Sequence, residues 1–124
     1  MATVYVRRFD LKGSLTDSDV AAFWKYAVEE FLPACLKTNG VRAAKFYSGA
    51  GALRADLRVV LEMDHAGVYE NLLHDPSLHE HVAKLYAAID FKTSTQMFAQ
   101  GSDARTGQGV DPIDLGSSPA ATSA

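Results

Sequence analysis

The chain has 124 residues, 48% of them hydrophobic and 22% charged, the balance of one ordinary globular domain. Twelve basic residues against fifteen acidic ones leave a net charge of -3, which argues against a general nucleic-acid binder, whose electrostatic footprint is basic. No apolar run nears the ~20 residues that span a bilayer, no signal-like segment opens the chain, and the single cysteine, Cys35, excludes an intramolecular disulfide and a cysteine-rich zinc site, so a cytoplasmic protein is expected.

Residues 3–11 are predicted as a first strand, with Val4 and Val6 pointing one way and Tyr5, Arg7 and Phe9 the other. Gly13 and Ser14 end it. Thr16, with Asp19 three residues on, predicts a helix N-cap, and Asp17 suits the positive end of the helix dipole. Val20, Phe23, Trp24, Ala27, Val28, Phe31 and Cys35 then recur at helical spacing. Pro33 predicts a kink in the last turns, and Asn39 with Gly40 the stop.

Residues 41–48 form a predicted second strand, Gly49, Ala50 and Gly51 a turn, and residues 53–63 a third strand. Leu53, Ala55, Leu57, Val59, Leu61 and Met63 share one face of that strand; Arg54, Asp56, Arg58, Val60 and Glu62 share the other. Asp64 is expected to cap a helix running to about His74, and Asp75 with Pro76 to restart it. Leu78, Val82, Leu85, Tyr86 and Ile89 continue the apolar stripe, and residues 91–98 close the pattern as a fourth strand. After residue 99 the composition turns to Gly, Ser, Ala and Asp, which separates a domain over residues 1–99 from a tail over 100–124. Val110, Pro112, Ile113 and Leu115 are the tail's apolar anchors, expected to dock on a partner subunit.

The order β-α-β-β-α-β, with two right-handed crossovers around a central hairpin, predicts a ferredoxin-like α+β fold, a four-stranded antiparallel sheet with the helices on one face. The alternation puts Tyr5, Arg7 and Phe9 on the uncovered face with Arg54, Asp56, Arg58, Val60 and Glu62. Such a face is too apolar for water and too polar for an isolated core. A second copy of the chain is its simplest cover, closing a barrel around a cavity between two sheets.

With that element order the sequence resembles the dimeric α+β barrel superfamily, and within it the antibiotic-biosynthesis-monooxygenase-like and stress-responsive barrel families. The likeness covers residues 3–98. Its local echoes are Asn39, Gly40 and Val41 leading into the second strand, the acidic end of the third strand, and the run from Leu73 to His79, which is similar to the family's two histidines flanking a serine in the second helix. The resemblance implies a homodimer that binds a small, often aromatic ligand between sheet and helices. It implies a cofactor-free oxygenase, an isomerase or a cyclase, or a barrel without activity. Haem-degrading members carry an Asn on strand one, a Trp near the end of strand three and a His on helix two. Here strand one has no Asn and the only Trp is Trp24 on helix one, so haem degradation is not expected.

The four histidines, His65, His74, His79 and His81, crowd into one segment. His79 and His81 are two apart on a helix, about 200° around its axis, and cannot share an ion, so no metal site is predicted. Imidazole titrates near neutrality, which makes His74 or His79 a candidate general base; the competing reading is a solvated histidine on an exposed helix edge. Arg7 and Arg58, placed together on the uncovered face, are candidates to converge on a ligand carboxylate or phenolate. Ion pairs with Asp56 or Glu62 are the competing account. Tyr5 and Tyr47 are candidate hydrogen-bond donors to a quinone or phenol oxygen, against a packing role with a wet hydroxyl. Trp24 reads as core and Cys35 as an inert buried thiol. The functional expectation is a homodimeric barrel, acting without a cofactor on a small aromatic or polyketide-like compound as monooxygenase, isomerase or cyclase. The alternative is a non-catalytic dimer that binds a small molecule or serves a structural role. Neither reading calls for nucleic acid or membrane as a partner.

Overall fold

A computed structural model describes residues 2–49 and 52–101. Its elements are β1 (Ala2–Leu11), α1 (Asp17–Tyr26), a π-helical turn (Ala27–Phe31), α2 (Leu32–Leu36), β2 (Val41–Ser48), β3 (Leu57–Met63), α3 (Gly67–Leu73), α4 (Pro76–Ala88) and β4 (Ile89–Gly101). The four strands pair antiparallel in the order β2-β3-β1-β4. This is the expected ferredoxin-like α+β fold. The expected docking of Val110, Pro112, Ile113 and Leu115, and the tip of the Gly49 turn at Ala50 and Gly51, lie outside the described residues.

Local chemistry explains most of the boundaries. Thr16 and Asp19 form a reciprocal capping box: Thr16 Oγ1 accepts from the Asp19 amide at 3.1 Å and Asp19 Oδ2 accepts from the Thr16 amide at 2.9 Å. Pro33 has no amide proton to return to a carbonyl one turn back. Immediately before it the helix widens, the Leu32 amide donating to the Ala27 carbonyl in π register. The extra residue in that turn shifts the phase of the stripe, so Ala27, Phe31 and Cys35 are buried while Val28 is 50% exposed. Gly40 takes φ +96, and a Cβ there would stand 2.5 Å from Val68 Cγ2; glycine allows both the turn and the close approach of α3. Asp75 Oδ1 caps α4 by accepting from the Ser77 amide at 2.9 Å. Asp64 does not cap α3, whose N-cap is Ala66; its carboxylate accepts instead from Arg42 Nε at 2.6 Å.

Two strand boundaries need correction. β3 begins at Leu57, four residues later than the alternation suggested, because Asp56 adopts a left-handed backbone (φ 53) and its amide donates to Asp10 Oδ1 at 2.8 Å. β4 is longer than expected and runs to Gly101, past the compositional boundary at residue 99.

A third correction concerns which face of β1 meets the helices. Tyr5 pairs with Leu61, Arg7 with Val59 and Phe9 with Leu57, and residues directly opposite each other in an antiparallel pair project to the same side. Tyr5, Arg7 and Phe9 therefore lie under the helices, packed with Phe23, Phe31, Leu72 and Leu85, and not on the uncovered face. The face away from the helices carries Val4, Val6 and Arg8 beside Glu62, Val60 and Arg58, with Val4 and Val60 themselves buried. β1 is an interior strand of the sheet, and both of its residue sets are apolar enough to be buried, Val4 at 1% exposure and Phe9 at 0%. A two-residue period on such a strand does not say which set faces the helices.

Candidate functional site

A cavity of about 350 Å³ lies between the helix-side face of the sheet and the helices. Val59 and Leu61 of β3 form its floor, and Phe31, Leu72, Leu78 and Leu85 its apolar walls. The lining residues that reach solvent include Leu73, His79 and Tyr86.

The polar groups of the cavity start from β1. Arg7 is 9% exposed, and its Nε donates to the Tyr5 hydroxyl at 3.1 Å. That hydroxyl in turn donates to Gln96 Oε1 of β4 at 2.8 Å, and the same amide oxygen accepts from the Tyr69 hydroxyl of α3 at 3.3 Å. Arg7 can only donate and an amide oxygen can only accept, so the direction of each bond in this chain is fixed. The rings reinforce it: Tyr5, Tyr69 and Phe98 sit with centroids 4.7 to 5.1 Å apart. The Tyr86 ring of α4 faces the Arg7 guanidinium at 5.2 Å, a cation–π contact. Burial raises the pKa of Tyr5 well above the usual phenol value, and it pushes the Cys35 thiol up to about 12. Neither supplies an anion to the cavity near neutral pH.

His79 of α4 is the imidazole of the cavity wall. Its Nε2 meets the Leu73 carbonyl at 3.1 Å; a carbonyl accepts, so Nε2 carries the proton and Nδ1 is left as an acceptor. His74 caps the C-terminal end of α3, is exposed, and does not line the cavity. His81 faces Tyr26 instead, Nδ1 to hydroxyl at 2.5 Å. Among the described residues no group of three or more His, Cys, Asp or Glu side chains is placed to hold a metal ion, and no helix is long and apolar enough to cross a membrane.

Of the six candidate site residues, the fold thus brings Tyr5, Arg7 and His79 together. Arg58 and Tyr47 pair with each other in register on the opposite side of the sheet, so Arg7 and Arg58 do not converge. Arg58 Nη2 lies 3.4 Å from Asp56 Oδ2, and Asp56 also accepts from Arg8 Nε. For Arg58 the ion-pair account holds. Tyr5 is no free donor either, because its proton goes to Gln96. Trp24 is half-buried against Phe46, with its indole N–H donating to the Leu53 carbonyl at 2.8 Å. Sequence reasoning missed Tyr69, Tyr86 and Gln96 as site residues. Tyr86 lies on the stripe of the second helical segment, and Gln96 shares a face of β4 with Phe98; nothing local marks either as facing Arg7.

No protein-family model and no curated protein sequence matches the chain. Solved structures do. SnoaB, a cofactor-independent oxygenase from Streptomyces nogalater, superposes with a TM-score of 0.66 at 13% identity, over 85% of this chain and 97% of that one. A dimeric protein of unknown function and ferredoxin-like fold from Bacteroides fragilis gives 0.66 at 10% identity, over 79% and 94%. The chain shares the ferredoxin-like α+β fold of these structures. A third structure, the monooxygenase from the gene ActVA-Orf6 of Streptomyces coelicolor, in complex with the ligand nanaomycin D, gives 0.63 at 15% identity over 83% and 89%. At these identities the likeness is one of fold.

Proposed function

We propose that this protein is a homodimeric barrel whose helix-side cavity binds a small aromatic or polyketide-like compound and acts on it without a cofactor, as a monooxygenase, isomerase or cyclase. The observation that carries this reading is the cavity itself. It has an apolar floor, aromatic walls and one imidazole at its rim with a free acceptor nitrogen. His79 Nδ1 takes a proton from a phenol or an acidic carbon of the bound compound, and the apolar walls keep water from the anion that results. Barrels of this fold that act as a cofactor-independent oxygenase, or hold nanaomycin D, support the same use of the site.

The dimer rests on the sheet face away from the helices. Val6 and Met97 are neighbours in register there, and Met97 is 47% exposed on a face otherwise ringed by Arg8, Arg58 and Glu62. A second copy covers such a patch, as expected for a barrel, and the Bacteroides fragilis structure is dimeric.

One observation favours a second reading, a dimer that binds a small molecule without transforming it. The His79 ring is oriented by a backbone carbonyl, with no carboxylate among the described residues hydrogen-bonded to it. Native mass spectrometry on the purified protein, followed by dioxygen uptake with a panel of dihydroxynaphthalenes, separates the outcomes. A dimer whose uptake is lost in His79→Ala and kept in His74→Ala bears out the enzyme. A dimer that binds panel members equally well with and without His79, consumes no dioxygen and returns them chemically unchanged is the binding protein. A monomer overturns the barrel.

A further inference from the structure

We infer that the cavity is built for a ligand carrying a carboxylate on a flat apolar body, with the Arg7 guanidinium as the group that receives it. The inference rests on the helix-side cavity being the ligand site, as proposed above, and names the class of compound that site selects. Arg7 is buried to 9% exposure inside an apolar cavity, and its Nη1 is fully buried with no acceptor among the described residues. No aspartate or glutamate lines the cavity. The carboxylates nearest in the strand register, Asp56 and Glu62, belong to the opposite face of the sheet or its edge, where Arg8, Arg58 and Arg42 engage them. The Tyr86 ring softens the charge but cannot neutralise it. A buried cation without a partner anion is costly, and a ligand that brings the anion removes the cost on binding.

The hydrogen-bond chain says which group meets the ligand. Tyr5 spends its proton on Gln96 and accepts from Arg7 Nε, so it has no donor left for a carboxylate. The Nη edge of the guanidinium remains, held in orientation from behind, and its two parallel N–H groups match the two oxygens of a carboxylate. The floor of Val59 and Leu61 and the walls of Leu78 and Leu85 suit a flat hydrocarbon body.

Isothermal titration of the full chain with 1-naphthoate and with 1-naphthamide, at neutral pH, tests this. The two probes share shape and differ in charge. The expected result is at least tenfold tighter binding of the carboxylate, with the difference abolished in Arg7→Met and the amide's affinity retained. Equal binding of the two probes by the wild-type protein overturns the inference while leaving the cavity as a ligand site; so does a preference that survives in Arg7→Met. If Arg7→Met does not fold, the wild-type comparison decides, and Arg7→Lys, which keeps the charge and loses the fork, is expected to keep a smaller preference. Failure of both probes to bind a folded dimer overturns the inference together with the reading of the cavity on which it rests.

Discussion

Arg7 Nε donates to the Tyr5 hydroxyl at 3.1 Å, from two residues along the same face of β1. The bond aligns a buried guanidinium with a phenol whose own proton is directed across to β4. In Tyr5→Phe the Arg7 Nε–H and the Gln96 carbonyl each lose a partner while the ring packing with Tyr69 and Phe98 is kept. The expected cost is about 1–3 kcal/mol, the penalty for stranding a buried polar group, read from urea unfolding of the two proteins side by side. No change in midpoint means that water takes over both partners and that the chain of bonds does not hold Arg7.

Cys35 lies on the cavity wall with its thiol pushed up to about 12 by burial. Its folded pKa is raised above the unfolded value of roughly 8.5, so the stability it contributes is complete below that value and is lost as pH rises toward the folded one. Stability measured between pH 8 and pH 10 is expected to fall in the wild-type protein and to fall less steeply in Cys35→Ala. Labelling with a thiol disulfide reagent at pH 8 is expected to be slow in buffer and fast in denaturant. Rapid labelling of the native protein refutes the burial of this sulfur.

The capping box of α1 makes the opposite prediction in acid. The Thr16 amide and hydroxyl hold the Asp19 carboxyl below the usual carboxylate range. A depressed folded pKa means that the contribution is present above the unfolded value of about 3.9 and is lost as pH falls through the folded value. Asp19→Asn is expected to flatten the acid limb of the stability profile. Thr16→Ala, measured at neutral pH by thermal unfolding, is expected to cost about 1 kcal/mol as the cap is lost. An acid limb unchanged in Asp19→Asn assigns it to other carboxylates.

Much of the fold was legible in the chain because its signals are local. A capping box needs four consecutive residues, Gly40 turns the chain into β2 with a positive φ, and Val41–Ser48 is bounded by a turn at each end, although α2 already ends at Leu36, ahead of the stop expected at Asn39 and Gly40. Element order then left few topologies, and the antiparallel sheet β2-β3-β1-β4 is the one observed. The late start of β3 was not legible. Leu53 and Ala55 continue the alternation of a strand, and only the hydrogen bond from the Asp56 amide to Asp10, forty-six residues away, shows that the backbone turns before Leu57.

The site was legible in kind and not in place. Length, composition and period determined an α+β chain with one domain's core, and they singled out Tyr5, Arg7 and His79 as residues with chemistry to offer. Tertiary structure alone decided that Arg7 lies beneath the helices and Arg58 on the far side of the sheet. The reason is physical: β1 is an interior strand apolar on both sides, so its alternation is equally satisfied by either orientation, and the choice is made by where Leu57, Val59 and Leu61 sit when β3 pairs with it. The same holds for the partners of Arg7, since Tyr69, Tyr86 and Gln96 reach it only once two helices and an outer strand, more than sixty residues away along the chain, have closed over the sheet.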